Sequence, residues 1–140
     1  MGDAMALLVA DVFELAGLLR RSGEAMAVSE GQTQARWQLL SVVSDEALTV
    51  PQAARRLGVT RQAVQRIANE LVRDELVELD SNPDHRTSPL LSLTDDGRRV
   101  LSRINKLAAR ENNRLVQSIG ADVMRSTHQG VRRLTAVLKG

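Results

Sequence analysis

The run Thr60–Asp74 reads TRQAVQRIANELVRD, and as a helix it has two contrasting faces. Val64, Ile67, Ala68 and Leu71 recur at i, i+3, i+4 and i+7, which puts them on one apolar stripe. Arg61, Gln62, Gln65, Arg66 and Asn69 fall opposite. Such side chains donate to guanine N7 and O6, pair both ways with adenine, or grip phosphate. The acids Glu70 and Asp74 come only in the second half. An ordinary solvated helix can carry the same polar face, so its neighbours decide what it does.

Immediately upstream, Thr49 or Val50 precedes Pro51, a residue suited to the first turn of a helix. Ala53, Ala54 and Leu57 give that short helix a small-residue face fit for close packing. Gly58 stops it where a positive φ is wanted, Val59 links, and Thr60 is placed to cap the next helix. The pattern A-x-x-L-G-V-T-x-x-x-V from Ala54 to Val64 is that of a helix-turn-helix. A plain helical hairpin could be built from the same residues. The charge argues for DNA: between Pro51 and Asp74 there are five arginines and two acids.

Downstream the period changes. Leu76, Val77 and Leu79 form one β-prone run, and Leu90, Leu91 and Leu93 another. Between them lies the turn-rich Asp80-Ser81-Asn82-Pro83-Asp84-His85-Arg86-Thr87-Ser88-Pro89. A hairpin directly after a helix-turn-helix is a wing. Arg86 is the residue expected in a minor groove, with Asp84 expected to orient its guanidinium.

The ends of the chain are apolar. From Ala4 to Arg21, residues Leu7, Leu8, Val12, Phe13, Leu15, Ala16 and Leu19 cover more than one helical face, which predicts packing against a second subunit. Ser22–Gly31 reads as a connection, and Thr33 as the cap of a helix through Ser44 with Trp37, Leu40 and Val43 inward. Thr94 caps a helix with Asp95 and Asp96 in its first turn and a long apolar stripe reaching about Gly120. A last helix from about Ala121 carries Val123, Val131, Leu134 and Leu138. The expected fold is mainly α, a winged helix-turn-helix with a small β-hairpin wing and long terminal dimerisation helices. One domain is expected over 1–140, with 33–99 the DNA-binding lobe and 1–31 and 100–140 the dimerisation helices.

Composition narrows the function classes. With one Phe, one Trp and no Tyr, the core is aliphatic. The absence of Cys excludes disulfides, thiolate metal sites and cysteine redox sensing. Net charge is only +2, so local distribution matters more than the total. Arg outnumbers Lys 17 to 2, which suits bidentate hydrogen bonding. No segment has the roughly 20 apolar residues of a membrane span and no basic signal peptide opens the chain, so a cytoplasmic protein is expected. His85 and His128 are the two histidines, without zinc-ligand spacing, and no catalytic triad or glycine-rich phosphate loop is present. No enzyme activity, metal or cofactor is expected.

In LTVPQAARRLGVTRQAVQRIANELVRDELV, then NPDHR, then LSLTDDG, the chain resembles the MarR family of winged-helix transcriptional regulators. LSLTDDG is similar to the family's L-T-x-x-G after the wing, and Asp84-His85-Arg86 to its D-x-R wing tip. The resemblance implies a homodimer. It also implies repression at a palindromic double-stranded operator and release by an anionic or aromatic effector bound between the lobes. Candidate DNA-binding residues are Thr60, Arg61, Gln62, Gln65, Arg66, Asn69 and Arg86, joined by Pro51 and Gln52. Arg36 and Trp37 are the candidates for an effector site. Three positions depart from the family pattern: Glu75 replaces a common Gly, Leu79 a common basic residue, and the interval from Arg86 to Thr94 is about a residue longer. A second reading, a winged-helix dimer that serves as a protein-interaction scaffold without specific DNA, fits the near-neutral total charge and Leu79.

Overall fold

Four helix starts in this chain are set by threonine. In the computed structural model, which describes residues 2–140, six helices and one hairpin follow in order. They are α1 (Gly2–Val28), α2 (Gln34–Asp45), α3 (Val50–Leu57), α4 (Arg61–Arg73), β1 (Val77–Asp80), β2 (Leu90–Leu93), α5 (Asp95–Ile119) and α6 (Ala121–Lys139). The Thr33 hydroxyl accepts from the Arg36 amide at 3.1 Å, Thr60 from Ala63 at 3.1 Å and Thr94 from Gly97 at 3.0 Å. Thr49 does the same for Gln52, whose Oε1 accepts in return from the Thr49 amide, closing a capping box. Each such cap contributes about 1 kcal/mol to its helix.

The chain divides into two compact units, one through Asn105 and the other from Lys106. The first contains the winged helix-turn-helix. Its core joins Leu39, Leu40 and Val43 of α2, Ala53 and Ala54 of α3, and Val64, Ala68 and Leu71 of α4. Val77, Leu91 and Leu93 of the hairpin and Val100, Leu101 and Ile104 of α5 complete it. The strands pair antiparallel with Val77 opposite Leu93 and Asp80 opposite Leu90. A bridge between Leu48 and Leu91 (Leu91 amide to Leu48 carbonyl, 2.7 Å) ties the entry of α3 to the base of the wing.

One expectation is corrected. Ser22–Gly31 is not a connection: α1 continues through Val28. Gly23 and Ala27, four residues apart, are buried, and a Cβ on Gly23 would stand 3.1 Å from Gln34 Nε2 of α2. Small residues at that spacing form a contact face between helices, so their composition alone misleads. The rest of α1 is different, for Leu7, Leu8, Phe13, Leu15, Leu18 and Leu19 all stay exposed.

In the second unit, Gly120 separates the end of α5 from α6, and the latter has no buried residue. Val123, Val131, Val137 and Leu138 are exposed there, as is Ile119 before them. Local pairs, Glu111 with Arg114 and Asp122 with Arg125, decorate these helices. The Arg114 hydrogen bond holds the Glu111 carboxyl below its ordinary range. Among the described residues, no helix is long and apolar enough to cross a membrane.

Candidate nucleic-acid interface

The recognition candidate α4 is oriented by its buried stripe. Val64, Ala68 and Leu71 point into the core, which leaves Arg61, Gln62, Gln65, Arg66 and Asn69 exposed on the outer face. Gln65 Nε2 donates to Asn69 Oδ1 at 2.9 Å, so one amide orients the other before any ligand arrives. Thr60 uses its oxygen as acceptor for the helix cap, which leaves its O–H free to donate outward. In α3, Gln52 is exposed and spends its Oε1 on the Thr49 amide, while its Nε2 remains available. Pro51 is partly buried at the same helix entrance.

The preceding turn is built for this presentation. Gly58 adopts φ +70°, which an L side chain resists, and lets the Val59 amide reach back to the Ala54 carbonyl at 3.1 Å. Three residues, Gly58, Val59 and Thr60, separate the end of α3 from the start of α4.

Between α4 and the wing lies a cleft of about 380 Å³. Arg61, Gln62 and Gln65 line one side, Thr87, Ser88 and Pro89 the other, with Pro51 and Leu79 contributing apolar surface. Leu79 is exposed there. Arg86 is exposed on the wing loop. The expected partnership with Asp84 is not formed, since no ion pair joins the two among the described residues. The loop is instead organised by Asn82. Its Oδ1 accepts from the Asp84 amide at 3.1 Å and its Nδ2 donates to the Ser88 carbonyl at 3.0 Å. Asp84 and His85 line a second cleft, of about 540 Å³, on the side of Gln52 and Arg55. Asn82 was legible as an Asx-turn former but its reach to Ser88 was not.

Arg36 and Trp37 sit elsewhere in the lobe. Trp37 packs partly buried against the core and its Nε1 donates to Asn105 Oδ1 at 3.1 Å. Arg36 Nη2 donates to Asp74 Oδ2 at 2.6 Å, Nη1 stands 3.7 Å from Glu70 Oε1, and Nε is buried without an acceptor. Glu70 and Asp74 are therefore tied to α2, a connection absent from the expected site. Two acids at the C-terminal end of a helix, where the dipole disfavours them, were the available signal.

Residues 31–87 match the model of the MarR family. An uncharacterized protein of Mycobacterium tuberculosis is 65% identical over 139 residues, spanning 99% of this chain and 97% of that one. The HTH-type transcriptional regulator TcaR of Staphylococcus aureus is 30% identical over 103 residues, 71% of this chain and 65% of TcaR. Among solved structures, a MarR family transcription regulator superposes with a TM-score of 0.91 at 23% identity, covering 98% of this chain and 91% of the other. Repressors and homodimers are typical of proteins so related. With helix-turn-helix, wing and terminal helices in that order, residues 31–87 carry a MarR family domain, in a chain with the fold of MarR family winged-helix transcription regulators.

Proposed function

We propose that this chain is a dimeric, sequence-specific DNA-binding repressor of a palindromic operator. One observation carries the reading. The exposed face of α4 presents two arginines and three amides beside a cleft whose far wall is a wing with an exposed Arg86. In this reading Arg61, Gln62, Gln65, Arg66 and Asn69 meet base edges and adjacent phosphates in a major groove. Thr60 donates its hydroxyl to phosphate, with Pro51 and Gln52 against the backbone at the α3 entrance. Arg86 enters the flanking minor groove, where a narrow, strongly negative channel favours a guanidinium. Two copies of α4 about one DNA turn (roughly 34 Å) apart demand a two-fold symmetric site.

The test is selection of random duplexes by the purified protein. Recovery of one palindrome supports the reading, whereas an unenriched pool favours the scaffold alternative. On the recovered site, Arg86→Ala is expected to weaken binding and to reduce the slope of log K against log salt by about 0.9, the value of one phosphate-region cation. A variant matching wild type at every salt concentration removes the wing from the mechanism.

The same reading includes an anionic or aromatic effector at Arg36 and Trp37, supported by the Arg36 Nε that lies buried with no acceptor. A carboxylate there would satisfy a donor whose burial otherwise costs about 1–3 kcal/mol. Phenolic acids are the probes. Release of the operator by one of them, lost in Arg36→Gln, supports the site, and operator binding indifferent to all of them dismisses it.

A further inference from the structure

Glu70 stands between two guanidinium groups of opposite character. Arg36, whose side chain is 12% exposed, approaches Glu70 Oε1 to 3.7 Å from α2. Arg66, one turn earlier on α4 and 74% exposed, approaches Glu70 Oε2 to 3.9 Å. The Glu70 side chain is itself 34% exposed. Neither contact is a closed hydrogen bond at these distances. Asp74 takes the short one from Arg36, at 2.6 Å, and so leaves Glu70 incompletely held. A single carboxylate is thus shared between a cation sealed behind the recognition helix and a cation on its outer face.

We propose that Arg36, Glu70 and Arg66 form an ion-pair relay that sets how firmly the recognition helix grips DNA. Glu70 competes with phosphate for Arg66, and Arg36 weakens that competition by drawing the carboxylate toward α2. The proposal rests on the reading of α4 as the DNA-contacting helix. Arg36 and Glu70 are positioning residues in it, because each acts on DNA only through Arg66.

Two guanidiniums stand at nearly equal distance from one carboxylate, the sheltered Arg36 less screened by water than the exposed Arg66, so losing either partner leaves the carboxylate to the other. When phosphate arrives, Arg66 must exchange Glu70 for it. A pair serving only helix stability would register in thermal unfolding and leave DNA binding untouched.

The experiment is a double-mutant cycle on the selected operator with the full chain: wild type, Glu70→Gln, Arg66→Ala and the double variant, each titrated across salt. Glu70→Gln is expected to tighten binding about two- to fivefold, the worth of one partly exposed ion pair. The salt slope is expected to steepen by about 0.9 as Arg66 becomes free for phosphate. In the Arg66→Ala background the gain should vanish. Arg36→Gln should weaken binding by a similar factor, and that loss should disappear once Glu70 is Gln. The Glu70–Arg66 cycle stands even if Arg36→Gln does not fold. An equal gain from Glu70→Gln in both backgrounds is plain removal of a charge and overturns the relay, as does no gain at all. In both cases wild-type operator binding survives. A wild-type protein that retains no duplex overturns the relay together with the DNA-binding reading.

Discussion

Glu75 holds a left-handed backbone, φ +60°, in the one place where this chain asks a side-chain-bearing residue to do so among the described residues. It follows α4 in a closing pattern of two hydrogen bonds. The Leu76 amide reaches the Leu71 carbonyl at 2.9 Å and the Glu75 amide reaches Val72 at 3.0 Å. Glycine is preferred at that position because a Cβ there costs about 1–2 kcal/mol. The compensation is visible: the Thr94 hydroxyl donates to the Glu75 carbonyl at 2.7 Å, and buried Leu71 and Leu76 fix the turn on both sides. Glu75→Gly should therefore stabilise the fold by about 0.5–1 kcal/mol, the relieved strain less the added entropy of an unfolded glycine. Denaturant unfolding measures it. A lower midpoint would show that the Glu75 side chain contributes more than its backbone costs.

Between elements, the tightest junction is that of α5 with the strand entering the wing. The Thr94 amide donates to the Leu76 carbonyl at 3.1 Å, and a Cβ on Gly97 would lie 2.0 Å from that same oxygen. The obstacle is backbone, which cannot rotate aside. Gly97→Ala should cost about 2–3 kcal/mol by forcing α5 off the hairpin, and a melting temperature equal to wild type would show that the helix shifts freely. This junction explains the spacing in Thr94-Asp95-Asp96-Gly97, where the cap and the glycine serve the same contact. Elements of this local kind were legible in the sequence. Threonines before helices, the turn at Gly58 and the two leucine-rich strands all act within a few residues of themselves, and helical period alone assigns Arg61, Gln62, Gln65 and Arg66 to one face. What escaped depends on distance or on competition. Arg36 meets Asp74 across 38 residues. Gly23 and Ala27 look like linker until α2 is placed beside them. Asp84 and Arg86 form no ion pair among the described residues, and it is Asn82 that fixes the loop, through the Asp84 amide and the Ser88 carbonyl.

At the scale of the whole molecule, the exposed apolar residues of the terminal helices call for a cover. Phe13 is 70% exposed, and Leu7, Leu15 and Leu19 are half or more exposed on the same helix. In α6, Val123, Val131, Val137 and Leu138 are similarly bare. Monomeric proteins seldom leave so many large apolar side chains uncovered, and a second copy of the chain is the partner that the family reading supplies. Burying one such side chain is worth about 1.5–3 kcal/mol, and a two-fold interface counts each of them twice. Phe13→Glu with Leu19→Glu therefore removes four apolar anchors from a dimer and should weaken association by at least about 1,000-fold, using 1.4 kcal/mol for each factor of ten. Sedimentation should show a monomer at concentrations where wild type is dimeric. The winged lobe should keep its melting transition, since neither residue belongs to its core. Operator affinity should fall steeply while single half-site binding persists, because two recognition helices would no longer be presented together. A double variant that sediments as wild type would mean that α1 contributes no interface, and that its apolar side chains are covered by something other than a second copy.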